Sequence, residues 1–476
     1  MKKCLAVINF SFTTLLAVSL HAQTLPAAVM ESLRQVQVPA SALGVYVQEV
    51  AAPAEATVPL LSWQSDLAMQ PASTMKLVTS YAALDLLGPA YVWTTSVYRT
   101  GQLEGDVLEG DLILQGGGDP HLVLENFWML LRQIRAEGIR VIRGHLIIDS
   151  SWMELPQFDA AEFDGDPTRP YNVGPDSLLV NYNVLNLELH PDPGALQVVN
   201  LSPLALQTSV NVLYAGGACE AWREKLTPTF TFTNQQIHLN LTGSYPRSCG
   251  DKTWSLQPYP LTHQEYVGAL FRNLWQELGG EFDGTLQAGT VPAAATRVTT
   301  FQSDRLADVL RSMNKYSNNV MTRLVLLTLD REANQLPANP ARAAQRVQQW
   351  FASLGMDATG LQLENGSGLS RSERISPWQM GRMLNHAYAS SVMPELMSSL
   401  PVLGVDGTMA KRAVNLPVAG HAHIKSGSLE GVHNFAGYVL AASGKRYVVV
   451  CFVNHKNAQK TDAAQDRLLQ WIYDHG

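Results

Sequence analysis

The chain has 476 residues, 46% hydrophobic and 16% charged, with 35 glycines and 25 prolines spread along its length. That is the composition of a globular protein of more than one domain, and it excludes a disordered or fibrous chain. A formal charge of −7 with no block of Lys or Arg argues against nucleic acid as a partner.

Residues 1–22 begin Met1-Lys2-Lys3, continue through an uncharged apolar run from Cys4 to Leu20, and end Leu20-His21-Ala22 before Gln23. This is the order of an export signal, with cleavage expected after Ala22. Its removal takes away Cys4, Lys2 and Lys3 and moves the formal charge to −9; no later apolar run is long enough to span a membrane, so no transmembrane anchor is expected after processing. Cys219 and Cys249 lie 30 residues apart in a turn-rich stretch and allow one disulfide in an exported protein, whereas Cys451 lies in an apolar strand-like run and is expected to be a buried thiol.

In chain order, residues 25–38 show helical spacing of Val29, Leu33 and Val36, followed by strand-like runs at 44–50 and 60–63. From Ser73 the apolar positions Leu77, Tyr81, Leu84 and Leu87 predict a helix that stops at Gly88-Pro89, with Ser73 at its positive end. Residues from about 90 to about 300 read as β-rich, with runs at 107–114, 141–148, 184–189 and 230–241 between Gly, Pro, Asn and Asp turns. Helical periodicity returns at 303–313, 318–329, 340–354 and 377–388. The chain then closes with strands at 422–428, 434–442 and 446–454 and a helix over 463–475.

Three short motifs carry chemistry. Ser73-Thr74-Met75-Lys76 is S-x-x-K, whose i, i+3 spacing places a hydroxyl and an amine on one helix face. Ser317-Asn318-Asn319 is S-x-N at a break between helices, and Lys425-Ser426-Gly427-Ser428 is K-S-G on a strand, where Gly427 leaves the strand edge open to a ligand. Each pattern is weak alone: Ser312 to Lys315 also matches S-x-x-K, and Ser209 to Asn211 also matches S-x-N. No G-x-S-x-G elbow is present. His421 and His423 with His433 nearby make a weak metal pattern, which is set aside for want of an H-E-x-x-H helix.

As an ordered set, the three motifs resemble those of the penicillin-recognising serine enzymes. The 244 residues between Ser73 and Ser317 narrow the likeness to the D-alanyl-D-alanine carboxypeptidase/endopeptidase family, the class C low-molecular-mass penicillin-binding proteins. The segments Leu114–Pro120, Tyr171–Asn183, Glu364–Arg371 and Gly404–Met409 are similar to the same family. The third motif departs from it, with Ser426 where the family often has Thr, which keeps the hydroxyl.

The resemblance implies an α/β fold: a transpeptidase/β-lactamase-like domain, its antiparallel sheet covered by helices on both sides, with two nested β-rich inserted domains. The expected division is residues 1–22 as signal, 23–87 and 298–476 as the catalytic domain, 88–180 and 262–297 as the first insertion, and 181–261 nested within it. It further implies Ser73 as nucleophile, Lys76 as general base, Ser317 as proton relay, Lys425 as the cation that keeps Lys76 neutral, and Asn319 as a hydrogen-bond partner of the substrate amide. Ser426 with Lys425 would hold the terminal carboxylate beside Gly427, the amides of Ser73 and Ser428 would form the oxyanion hole, and Asp166 and Arg371 would hold the end of a diaminopimelyl side chain. Glu430 is a further candidate for that pocket.

The implied activity is periplasmic DD-carboxypeptidase and DD-endopeptidase action on peptidoglycan stem peptides, with β-lactams as covalent inhibitors and no metal or organic cofactor. A β-lactam-acylated sensor without turnover and a β-lactamase are the alternatives. The oligomeric state is open, a homo-oligomer included.

Overall fold

The structure, a computed structural model, describes residues 24–50, 58–233 and 236–476. The expected signal segment and Cys4 lie outside the described residues.

At the centre is a five-stranded antiparallel sheet in the order Ala422–Leu429, Val432–Leu440, Arg446–Asn454, Leu43–Glu49 and Leu61–Trp63. Its middle strand Arg446–Asn454 is apolar on both faces because both are covered. Val448, Val450 and Phe452 point toward the helices Lys76–Leu87, Leu306–Tyr316 and Pro377–Tyr388. Val449, Cys451 and Val453 point toward the terminal helices Ala27–Gln35 and Asp462–His475. The period-2 alternation of strand side chains thus builds two cores from one strand. Cys451 is buried there, and burial pushes its thiol far up.

Among the described residues, the chain between Thr94 and Gln302 forms four further sheets of five, four, three and three strands. One contiguous cluster of buried side chains, from Val97 to Phe301, joins these sheets, while Met153, Val173 and Leu179 pack instead with Val320, Leu324, Leu327 and Ala338. Two helices, Leu124–Ala136 and His263–Glu277, stand where the sequence reading expected only strands and turns. The expected strands also divide: the run at 107–114 is broken at Gly110-Asp111 into Val107–Glu109 and Leu112–Gln115, which belong to different sheets. The run at 230–241 is parts of two antiparallel strands, Leu226–Thr233 and Gln236–Pro246.

A disulfide joins Cys219 and Cys249 beside the buried Trp222, Tyr245 and Trp254. Closing a loop of 30 residues removes chain entropy worth about 3–4 kcal/mol from the unfolded state. The Cys219→Ser/Cys249→Ser protein is therefore expected to show a lowered calorimetric transition for the region around it. An unchanged melting profile would show that the cross-link constrains nothing.

Candidate active site

Three segments far apart in sequence converge at one edge of the central sheet. Ser73 lies in the 3-10 turn Ala72–Met75, which runs directly into the helix Lys76–Leu87. The expectation that Ser73 itself opens the α-helix is corrected: the tighter turn comes first, and its hydroxyl does not cap the helix. Lys76 follows one turn later and is completely buried.

The helix Leu306–Tyr316 ends with Ser317 in the left-handed region (φ 58°, ψ 38°), and Asn318 then caps the next helix, Asn319–Asn334, by accepting from Met321 N–H at 3.1 Å. A left-handed residue between two helices is what turns Ser317 and Asn319 into the same cleft. On the third segment Lys425 is fully buried on its strand.

These side chains form one network. Lys76 Nζ lies 3.0 Å from Ser73 Oγ, 2.7 Å from Asn319 Oδ1 and 2.5 Å from the carbonyl oxygen of Ser367. Asn319 Nδ2 donates to the Tyr171 carbonyl at 3.2 Å, and because a carbonyl only accepts, this contact fixes the amide with its oxygen toward Lys76. Both that oxygen and the Ser367 carbonyl require N–H donors. A neutral amine has two N–H groups and one lone pair, so the lone pair is left for the Ser73 hydroxyl.

Electrostatics favour the neutral form. Burial first, then the Lys425 cation, hold the Lys76 ammonium well below its ordinary value; Arg323 acts in the same sense and Glu373 against it. Lys425 donates to Ser317 Oγ at 2.9 Å and to the Ser426 carbonyl at 2.8 Å, and burial lowers it to about 7.

Glu373 and Arg323 carry no motif and were missed in the sequence. Glu373 is buried, accepts the backbone N–H groups of Glu364, Asn365 and Gly366 through Oε1, and is raised by burial. Those bonds shape the loop that presents the Ser367 carbonyl. The only hint was proximity: Glu373 lies two residues beyond the Glu364–Arg371 segment.

Two glycines allow the close approach. A Cβ on Gly427 would lie 2.8–3.0 Å from backbone atoms of Pro71, Ser73 and Thr74, and one on Gly368 would lie 1.9 Å from the Ala72 carbonyl oxygen. Ser426 Oγ lies 2.8 Å from Thr408 Oγ1, a second hydroxyl the sequence reading did not assign. Ser428 Oγ donates to Gln459 Oε1 at 2.9 Å and lies 3.2 Å from His433 Nδ1.

The structure does not join Asp166 to Arg371. Asp166 accepts from Thr168 N–H and Oγ1 and pairs with Arg169 at 2.6 Å. Burial raises that carboxyl, but these bonds outweigh it and leave it below its ordinary value. Arg371 lies over the Phe163 ring at 4.7 Å and 3.9 Å from the exposed Glu430. Arg371 borders a cavity of about 500 Å³ that Phe158, Glu162, Arg323 and Glu364 also line.

The weak histidine pattern dissolves into separate contacts, with His421 against Tyr473 and His433 paired to Asp462 at 2.8 Å. Among the described residues no group of three or more His, Cys, Asp or Glu is placed to hold a metal ion.

An antiparallel sheet between two helical layers, with a serine turn and a lysine strand at its edge, is the transpeptidase/β-lactamase-like fold. The chain belongs to the D-Ala-D-Ala carboxypeptidase 3 (S13) family, whose sequence pattern matches residues 25–474. It is a serine-type D-Ala-D-Ala carboxypeptidase of the low-molecular-mass penicillin-binding group. It is 26% identical over 391 residues to the D-alanyl-D-alanine carboxypeptidase DacB of Haemophilus influenzae, covering 81% of this chain and 80% of that one. A crystal structure of penicillin-binding protein 4 (dacB) from Haemophilus influenzae superposes with a TM-score of 0.77 at 23% identity, over 94% of this chain and 99% of that one. A second structure of that protein, complexed with a β-lactam, has a TM-score of 0.73 at 22% identity and covers 94% of this chain and 100% of that one.

Gly427 generates a prediction. A methyl group there forces the Lys425 strand away from the Ser73 turn, and a displacement of about 1 Å in such a site costs on the order of 100-fold in rate. The Gly427→Ala protein is expected to melt near the wild-type temperature but to be acylated by benzylpenicillin about 100-fold more slowly. Wild-type acylation would show that the strand has room to spare.

Proposed function

We propose that the chain is an exported DD-carboxypeptidase and DD-endopeptidase that removes D-Ala from peptidoglycan stem peptides and opens their cross-links. The observation that carries the mechanism is the buried Lys76 amine 3.0 Å from Ser73 Oγ.

In this reading Ser73 Oγ attacks the carbonyl carbon of the penultimate D-Ala while its proton passes to the Lys76 lone pair. The negative charge on the carbonyl oxygen is met by the amides of Ser73 and Ser428, a reading supported by the close approach of Gly427 to the Ser73 turn. Collapse breaks the C–N bond, and the leaving amine receives through Ser317, which Lys425 holds in place, the proton that Lys76 took from Ser73, so Lys76 is neutral again. Water then attacks the Ser73 ester, Lys76 takes its proton, and Ser73 is released with its own hydroxyl restored. D-Ala leaves in the carboxypeptidase reaction and the neighbouring stem peptide in the endopeptidase reaction.

Recognition follows the same geometry. Ser426, with Thr408 beside it, offers hydroxyl donors to the terminal carboxylate. Asn319 keeps one lone pair and one N–H free for the substrate amide after meeting Lys76 and Tyr171. The side chain of the third stem residue would lie toward Arg371 and Asp166, with Asp166 releasing one of its present partners. β-Lactams would acylate Ser73 because their ring carbonyl and carboxylate reproduce those of the peptide. The separation of a catalytic unit from the inserted region is supported by the cores of the central sheet, which are distinct from the large cluster between Val97 and Phe301. Export to the periplasm is supported by the signal pattern of residues 1–22 and by the disulfide.

The direct test offers the protein a synthetic stem peptide ending in D-Ala-D-Ala and, separately, a cross-linked muropeptide dimer. Wild type should release D-Ala from the first and monomers from the second, and Ser73→Ala should fold and do neither. Dimer left intact while D-Ala is released removes the endopeptidase half. A stable acyl-enzyme with no release from either substrate would leave a sensor, and rapid β-lactam turnover would leave a β-lactamase.

The Lys76 mechanism also fixes a pH dependence. Below its own pKa Lys76 is an ammonium without a lone pair, so acylation falls as pH drops through that value. Lys425→Met removes a cation that depresses Lys76, which lets Lys76 hold its proton to higher pH. The acidic limb of the benzylpenicillin acylation profile is expected to move upward in that variant; an unmoved limb would separate Lys425 from the state of Lys76.

A further inference from the structure

The most distal insertion carries an unfinished sheet edge. The ten-residue strand Leu206–Ala215 pairs in parallel with Gln236–Pro246 on one side only, and among the described residues nothing pairs with its other side. Gln207, Thr208, Ser209, Asn211 and Leu213 are exposed. Leu206, Val210, Val212 and Tyr214 face the core, yet each is only partly buried. Leu213 is 77% exposed, with Leu201 and Val199 exposed nearby on the preceding segment. The core of this insertion therefore runs out to the strand edge and stops there.

Long free edges are usually blunted by charge, proline or a bulge. The opposite edge of this same sheet, Leu226–Thr233, carries Pro228. Leu206–Ala215 has no proline, no glycine, no charged residue and an unbroken register. Its far end is closed, where Tyr214 donates to the Asp192 carbonyl and Arg247 covers its ring, and the strand Leu196–Asn200 packs against it without pairing.

We propose that this edge is the contact surface for a second copy of the chain, the two strands pairing antiparallel about a two-fold axis near Val210. The sequence is self-complementary in that arrangement. A two-fold perpendicular to the sheet keeps the half-buried face on one side and the polar face on the other, so Thr208 meets Val212 of the second copy on the core side and Ser209 meets Asn211 on the outer side. A charge near the axis would face its own copy and repel it; the strand has none. Pairing would complete the backbone ladder and cover the half-buried Val210 and Val212 on both copies. The proposal stands apart from the catalytic reading, because none of these residues belongs to the site.

The test is sedimentation velocity of the full chain over a concentration series, with two variants changed only at exposed positions: Ser209→Lys/Asn211→Lys and Ser209→Glu/Asn211→Glu. Wild type is expected to shift from monomer to dimer as concentration rises. Each variant alone should stay monomeric, with unchanged circular dichroism and unchanged D-Ala release, and an equal mixture of the two should dimerise again. A wild type that remains monomeric at every concentration overturns the proposal. So does a lysine variant that dimerises like wild type, or a mixture that fails to re-form dimers.

Discussion

A serine hydroxyl is a poor nucleophile, and here everything depends on one amine having a lone pair to offer it. Two lysines and an arginine, Lys76, Lys425 and Arg323, share a buried region with one buried carboxylate, Glu373. Four groups of this kind cannot all be charged without water to solvate them. Burial and the neighbouring Lys425 make Lys76 the group that gives way. Lys76 faces two oxygens that only accept, the Ser367 carbonyl and the oriented Asn319 amide, and its third partner is the Ser73 hydroxyl. A neutral amine matches that set with its lone pair toward Ser73, whereas an ammonium would present a third N–H there. Burial and the neighbouring cations favour the neutral amine, and the hydrogen-bond set accommodates it.

The backbone meets this requirement by close approach at a few positions. Ala72 and Ser317 hold positive φ, at the nucleophile turn and at the helix break. Gly368 and Gly427 let two other segments press against the turn at distances no side chain would permit. Glu373 is the internal brace: it gathers three amides of the loop that carries Ser367. The insertion is tied into the same frame through the Tyr171 carbonyl, which fixes the orientation of Asn319. The same region also meets the site through Arg323, which donates to the Val173 carbonyl, and through Arg371 over the Phe163 ring.

The groups proposed to react are legible in the sequence because their chemistry demands particular residue types at short spacing. Ser73 with Lys76, Ser317 with Asn319, and Lys425 with Gly427 are each local patterns, and their order along the chain carried the family likeness. Glu373, Arg323 and Thr408 were not legible, since each acts only after segments remote in sequence have met. Asp166 and Arg371 were named by analogy, and the structure shows each holding other partners. The helix Leu124–Ala136 did leave a signal, with Phe127, Leu130, Leu131 and Ile134 at helical spacing. It was passed over because the surrounding glycine-rich turns and short apolar runs read as sheet. The strand division at Gly110-Asp111 was hidden for a different reason: an apolar run does not reveal that its two halves join different sheets.

The neutrality of Lys76 can be observed directly. Lysine side-chain NMR of the protein labelled at the lysine ε positions, with the Lys76 signal assigned by its loss in a Lys76→Arg variant, follows that amine through a pH titration without any substrate. The account predicts that Lys76 gives up its proton well below the ordinary lysine value of 10.5 and is a neutral amine where the enzyme acylates. A Lys76 signal that remains that of an ammonium until the ordinary lysine range would contradict it, and the proton of Ser73 would then need another acceptor.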